Sequence, residues 1–397
     1  MKELKKTIRN LVLACLIISL GFVLVTKVVA QGSLEHELET YLQVLEIVKS
    51  DYVEKKVDDQ KLVYGSIRGM LQSLGDPYTR FVDPEAYKEM KIRLSGSYSG
   101  IGIYIGIKDH QLTVISPIEG TPAYKAKLKT GDKILTIDSK ETEDMALEEA
   151  VSLIRGPKHS KVKLGVLRHG WKENRVFEIA RESIEIKSVK TKKIDNDVYY
   201  IKLNTFENVS AAREFETSLR QAKEYKGLIV DLRNNGGGLL QNAIDIGSMF
   251  IDNGMIVQTV DRENQVEQIP STGRVLWRKP TVVIINGASA SASEILAGAL
   301  KDNKVAKVLG TKSFGKACVQ NVRRLSDGSA VLVTVAKYLT PSGEDINKKG
   351  VTPDIEVIIP TKEASSELAL PETEDNDDLQ LHEATKLLRS LIAKQNG

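Results

Sequence analysis

The chain of 397 residues predicts an α/β protein, in full an α+β multidomain architecture, on three observations. Gly227-Leu228-Ile229-Val230-Asp231-Leu232 and Thr281–Ile285 are apolar runs suited to a sheet covered on both faces. Each is followed by a turn and a helical apolar pattern, so strands and helices alternate from about residue 187 to 360. From 95 to 180 the pattern changes to short alternating stretches with one helix, and from 34 to 93 the apolar period is helical.

At the N-terminus Lys2, Lys5, Lys6 and Arg9 precede an apolar run from Leu11 to Val25, which Lys27 closes. A basic region followed by such a run reads as a signal peptide or a membrane anchor over residues 1–30, with Val28-Val29-Ala30 as a cleavage point. Either way the chain from about residue 31 is expected to be exported, at the extracytoplasmic face of the cell membrane or secreted, with the membrane as partner of this segment. The 56 basic and 53 acidic residues leave a net charge of +3, which excludes nucleic acid as an expected partner. Cys15 lies in the export segment, so Cys318 is alone beyond it and forms no intramolecular disulfide.

Leu34, Leu38, Leu42, Leu45 and Val48, then Leu62, Ile67, Met70, Leu71 and Leu74, mark the helices of the first region, which Gly75-Asp76-Pro77 breaks. A Gly-rich hinge from Ser95 to Gly102 opens the second. There Ile101, Ile103 and Ile105, Leu112 and Val114, and the run 133–137 read as strands, and Leu147, Ala150, Val151 and Ile154 as a helix. Many short strands with one helix suggest a small, partly open β-barrel. In Ser99-Gly100-Ile101-Gly102-Ile103, consecutive amides beside a strand edge suit a peptide's terminal carboxylate. After an acidic, loop-like stretch from 361 to 378, Leu379, Ala384, Leu387, Leu388, Leu391 and Ile392 form the stripe of a terminal helix. That stripe needs a cover; the expected one is the 34–50 helix of a second chain, giving a homodimer, and docking on its own core is the alternative.

Chemistry concentrates in Asn286-Gly287-Ala288-Ser289-Ala290-Ser291-Ala292-Ser293-Glu294, a serine-rich turn after a strand. A serine hydroxyl needs a partner to take its proton, yet no histidine occurs between 170 and 381. Lys316 is the candidate base, provided burial favours its neutral amine. Gln320, four residues on, can hold that amine without adding charge. Helix capping by Ser293 and Glu294 is the plainer use of the turn, and spacing leaves Ser289, Ser291 and Ser293 all open. Gly236-Gly237-Gly238 is not a phosphate loop, because Leu239-Leu240 follows where lysine and Ser/Thr are required. Its amides can instead face a developing oxyanion.

Taken together, these stretches resemble the carboxyl-terminal processing proteases, also called tail-specific proteases. The likeness rests on Tyr64-Gly65-Ser66-Ile67-Arg68-Gly69-Met70-Leu71 with Asp76-Pro77-Tyr78-Thr79, on Ser99-Gly100-Ile101-Gly102-Ile103, and on Leu232-Arg233-Asn234-Asn235-Gly236-Gly237-Gly238. It continues through Ala290-Ser291-Ala292-Ser293-Glu294-Ile295, Phe314-Gly315-Lys316 with Val319-Gln320, and Leu339-Thr340-Pro341-Ser342-Gly343, from about residue 36 to 360. The resemblance implies a crotonase- and Clp-protease-like spiral core with an inserted PDZ domain at 95–180. It implies Ser291 as nucleophile, Lys316 as base, Gln320 as its orienting partner, and amides of Ala292 and of Gly236 or Gly237 as the oxyanion hole. Gly100, Ile101, Gly102, Ile103 and Arg155 would bind the C-terminal tails of protein substrates, with no metal and no cofactor. Ala317 and Cys318 depart from the family's Gly-Ser/Thr after the lysine, and Glu344 stands where a basic residue is common. The expected function is an exported serine endopeptidase. An inactive PDZ scaffold and a crotonase-like acyl-CoA enzyme are the alternatives.

Overall fold

The computed structural model describes residues 34–108, 111–359 and 378–395, so the expected export segment and nearly all of the acidic linker lie outside the described residues. The chain divides into two compact units, one ending at Gly69 and one beginning at Met70. In the first, residues 34–51 are helical and a second helix starts at Asp59. Within it Tyr41 and Ser66 share a hydrogen bond of 2.9 Å, and Lys49 pairs with Asp59 at 2.9 Å. Leu34, Leu38, Leu42 and Ile47 remain exposed on the first helix.

The second unit opens with the strand Arg80–Val82 and the helix Pro84–Ser95. Asp83 caps that helix by accepting from Ala86 N at 2.9 Å, and Gly96 ends it in the left-handed conformation at φ 72°. Next comes an antiparallel sheet in the order Ile103–Lys108, Gln111–Pro117, Lys133–Ile137, Lys161–Leu167, Arg175–Ala180. Ile101, Leu112, Val114, Ile134, Val162 and Leu164 fill its core beneath the helix Leu147–Ile154. Ile103–Lys108 is an edge strand of this sheet.

The larger core holds a six-stranded sheet in the order Val189–Lys193, Val198–Leu203, Gly227–Asp231, Thr281–Ile285, Lys307–Gly310, Ile355–Glu356, and the last five strands run parallel. Period-2 alternation sends Ile201, Leu203, Val230, Val283 and Ile285 to one face, against the helices Ala211–Gln221, Leu240–Ser248 and Ala292–Asp302. The opposite face presents Val198, Tyr200, Ile229, Val282, Ile284 and Leu309. A second sheet centres on Ala330–Leu339, which pairs with Arg80–Val82, Met255–Asp261 and Cys318–Arg324.

The terminal helix, Leu379–Gln395, corrects an expectation. Its stripe of Leu381, Ala384, Leu388 and Ile392 is buried on the open face of the six-stranded sheet, not offered to a second chain. The fit is close at Gly227, where an added Cβ would lie 2.9 Å from both Leu388 and Ile392. The helix is also pinned ionically. Arg233 donates to Asp378 through two bonds of 2.7 Å and to the buried Asp231 at 2.6 Å. Burial works against charge on Arg233 and Asp378, but the pairing outweighs it: the guanidinium is held above its ordinary pKa and the Asp378 carboxyl below the usual carboxylate range.

Leu388→Ala should cost about 2–5 kcal/mol in urea unfolding, the range for truncating a fully buried leucine. Asp378→Asn tests the ionic pin. Because the folded pKa is depressed, its stabilisation is present above the ordinary aspartate pKa and lost as pH falls through the folded value. The melting difference between Asp378→Asn and the parent should therefore be full at neutral pH and close up as pH falls below the ordinary aspartate range.

Candidate active site

The strands Gly227–Asp231 and Thr281–Ile285 are parallel neighbours, so the turns at their carboxyl ends lie side by side, where open α/β sheets place their ligands. Hydrogen bonds knit the two turns together. Asn234 N donates to Asn286 Oδ1 at 3.0 Å, Asn286 Nδ2 to Asn234 Oδ1 at 2.8 Å, and Ala290 N to Asn235 O at 3.0 Å.

The three serines now separate. Ser289 Oγ donates to Leu232 O at 2.8 Å and Ser293 Oγ to Asn235 O at 2.9 Å, and both residues are fully buried. Ser291 instead lines a cavity of about 280 Å³. Its backbone is strained, with φ 56° and ψ −116°, at the tight passage from the turn into the helix Ala292–Asp302.

Lys316 lines the same cavity, just before the strand Cys318–Arg324. Its Nζ donates to Gln320 Oε1 at 3.2 Å and lies 4.7 Å from the centre of the Tyr78 ring. A register shift between Val319 and Gln320 interrupts the strand at this point, the kind of irregularity that re-aims a side chain. Gln320 Nε2 donates in turn to Tyr78 O. Asp76 shapes the Tyr78 turn, accepting from Tyr78 N at 3.0 Å and Thr79 Oγ1 at 2.6 Å. Burial opposes ionisation of Asp76, yet these bonds, with Thr79 foremost, hold its carboxyl below the usual range. Thr79 Oγ1 accepts from Thr334 N at 3.0 Å, tying the turn to the central strand of the second sheet.

Two side chains at the site had no functional expectation attached to them. Glu294, expected from the sequence as a capping partner, is buried and receives the backbone amides of Ser291 and Lys316. Tyr338 belongs to no motif, and its hydroxyl reaches the carbonyls of the same two residues. Nothing local in the sequence could have found it, because only the pairing of distant strands brings it here.

Of the glycines, Gly236 and Gly238 line the cavity beside Ser291 and Ala292. Gly237 does not serve as first expected, since its N–H donates to Asn235 Oδ1 at 2.9 Å. It is instead a spacer: with φ 94°, an added Cβ would fall 2.6 Å from Ala290 O and 2.8 Å from Ala292 N. After the lysine, Ala317 is fully buried and lies outside the positive-φ region, so alanine introduces no strain there. The glycine that the loop requires is Gly315, at φ 90°. Cys318 is buried at the cavity wall, and burial raises its thiol pKa against the opposing charge of Lys316. Glu344 is exposed, in a turn closed by Thr340 N donating to its carbonyl.

In the smaller domain, Gly100 and Ile101 are buried, Gly102 has φ 77°, and Ile103 begins the edge strand. Arg155 follows the helix Leu147–Ile154; its guanidinium pairs with Glu89 and lies 4.7 Å over the Tyr98 ring. An added Cβ on Gly100 would meet Tyr98 at 3.0 Å and Arg155 at 3.8 Å, so both side chains flank the glycine loop. Glu89 belongs to the helix Pro84–Ser95, whose Met90, Arg93 and Leu94 line the Ser291 cavity.

Fold and site together define a peptidase core joined to a peptide-binding domain. Residues 197–357 match peptidase family S41, residues 89–167 a PDZ domain, and residues 24–86 the N-terminal domain of the activating protease CtpB. The carboxyl-terminal-processing protease of Synechocystis is 38% identical over 87% of this chain and 82% of its own. The carboxy-terminal processing protease CtpA of Bacillus subtilis is 40% identical over 79% of this chain and 68% of its own. Among solved structures, a photosystem II D1 C-terminal processing protease is 33% identical, covers 80% of this chain and 86% of its own, and has a TM-score of 0.49. The chain belongs to the carboxyl-terminal processing proteases, PDZ-bearing serine peptidases of family S41.

The two glycines should respond differently to alanine. A Cβ on Gly236 meets nothing within 4 Å, so Gly236→Ala should melt like the parent. Gly237→Ala should lower the melting temperature and abolish peptidase activity together, because the two turns can no longer approach; equal melting of the two variants would count against the spacer reading.

Proposed function

We propose that this enzyme cleaves exported proteins with a Ser291–Lys316 dyad after its PDZ domain has engaged their C-terminal tails. The observation that carries the reading is one cavity shared by a strained serine and a lysine whose amine is held by an uncharged amide oxygen. The Lys316 amine takes the Ser291 proton as Oγ attacks the scissile carbonyl, then returns it to the leaving amine. Water, activated by the same amine, hydrolyses the acyl-enzyme and restores the serine. The amides of Gly236 and Ala292 are the donors for the oxyanion.

Tail recognition follows from the open edge of Ile103–Lys108 beside the Gly100–Ile103 loop. A tail carboxylate arriving there competes with Glu89 for Arg155, and the helix that bears Glu89 also walls the cavity. Occupancy of the groove is thereby coupled to the site. Export rests on the apolar run from Leu11 to Val25, which would bring the chain to the membrane as signal or anchor. No described helix is long and apolar enough to cross a membrane. With the terminal helix occupied, the exposed leucines of residues 34–51 are the surface for a homodimer.

Ser291→Ala and Lys316→Ala should each remove casein cleavage while leaving melting unchanged, whereas a scaffold without catalysis would show no difference between parent and variants. Arg155→Ala should slow cleavage of a folded substrate with an apolar C-terminus and spare a short unstructured peptide. Equal loss on both substrates would contradict a role in tail sensing.

A further inference from the structure

We infer that Glu294 and Tyr338 form a two-sided brace that sets the distance between Ser291 and Lys316, making both positioning residues for the reaction. The inference rests on the dyad reading above. It starts from a coincidence in the hydrogen bonds. Glu294 Oε2 accepts the backbone amides of both Ser291, at 2.8 Å, and Lys316, at 2.9 Å. Tyr338 OH contacts the backbone carbonyls of the same two residues, Ser291 O at 3.1 Å and Lys316 O more closely. One side chain thus gathers the two N–H groups and another the two C=O groups.

Neither brace is free to drift. Glu294 Oε1 accepts Ser313 Oγ at 2.6 Å and Gly315 N at 2.7 Å, so each carboxylate oxygen has two donors. Its own backbone sits in the helix that Ser291 opens. Tyr338 stands on Ala330–Leu339, a strand paired on both sides, and is 1% exposed. Burial, with the nearby Glu294 charge second, holds its phenol well above the ordinary pKa, so it remains a donor at any working pH. Capping alone accounts for the bond from Ser291 N to Glu294, since an N3 glutamate commonly reaches back to the N-cap amide. It does not account for the bonds to Lys316, Ser313 and Gly315, which belong to a separate loop. Nor does it account for a tyrosine, on a third element, contacting the same pair.

The chemical consequence is specific. Ser291 opens a helix and Lys316 precedes a strand of the second sheet, and proton transfer between their side chains requires hydrogen-bond placement. A displacement of about 1 Å in such a pair costs on the order of 100-fold in rate. Brace loss should appear in turnover, because substrate affinity is set by the groove and the cavity walls.

The test uses the intact enzyme with Tyr338→Phe, which removes only the hydroxyl, and Glu294→Gln, which turns two acceptor positions into donors facing donors. Each is compared with Ser291→Ala for steady-state cleavage, labelling of the serine by a fluorophosphonate, affinity for a tail peptide, and thermal melting. The expected result for both is a fall of about 10- to 100-fold in kcat and a matching fall in labelling rate, with KM and peptide affinity within about twofold and melting still cooperative. Parent-like kcat in either variant, while Ser291→Ala is inactive, overturns the brace and leaves the dyad standing. Full activity in Ser291→Ala overturns the dyad itself. Loss of cooperative melting in both variants also overturns the inference, because the two residues then serve the fold and not the spacing.

Discussion

A single buried carboxylate decides how the active region is built. Glu294 lies almost wholly out of water, where an ionised group is costly unless every lone pair finds a donor. It finds four, from the serine turn, the lysine and the loop before it. Because the donors come from two separate segments, neither can move away without leaving a buried charge partly bare. That constraint offsets the strain at Ser291, whose backbone angles would otherwise cost about 1–3 kcal/mol and relax. A serine on an uncomfortable turn persists because its surroundings allow it no alternative.

The sheet supplies the coarse geometry that this network refines. Two neighbouring parallel strands carry the glycine turn and the serine turn to one edge, and the asparagine bonds between the turns fix their separation. The lysine arrives from a different sheet, and so does the Tyr78 turn that flanks its amine. The peptide-binding domain meets the cavity through the helix Pro84–Ser95, with Glu89 towards Arg155 and Met90 and Leu94 towards Ser291. A short element bearing on both sites is what coupling between them requires.

The class of fold could be read from the apolar strands and the turns that follow them, because fully buried strands must be continuous in sequence. The bond between Lys316 and Gln320 was legible too, since their four-residue spacing lets the amide reach the amine. The amino-acid order alone could not separate Ser289, Ser291 and Ser293. What separates them is which hydroxyl already has a carbonyl to bond, a property of neighbouring strands. The same holds for Gly237, whose amide is taken by a side chain two residues away, and for Tyr338. The terminal helix shows the other limit. An apolar stripe announces that it needs a cover, but a stripe has no address, and its own sheet, not a second chain, supplied the surface.

That helix has a consequence for the order in which the enzyme comes into being. Residues leave the ribosome in chain order, and domains generally fold as their segments become available. Leu379–Gln395 follows the whole peptidase core, so the sheet face bearing Tyr200, Ile229 and Ile284 stays open to water until the helix is delivered. Until then Arg233, at the root of the glycine turn, lacks Asp378, the second of its carboxylate partners. The sheet edge that carries the glycine turn therefore gains its full ionic support only after the core strands have emerged.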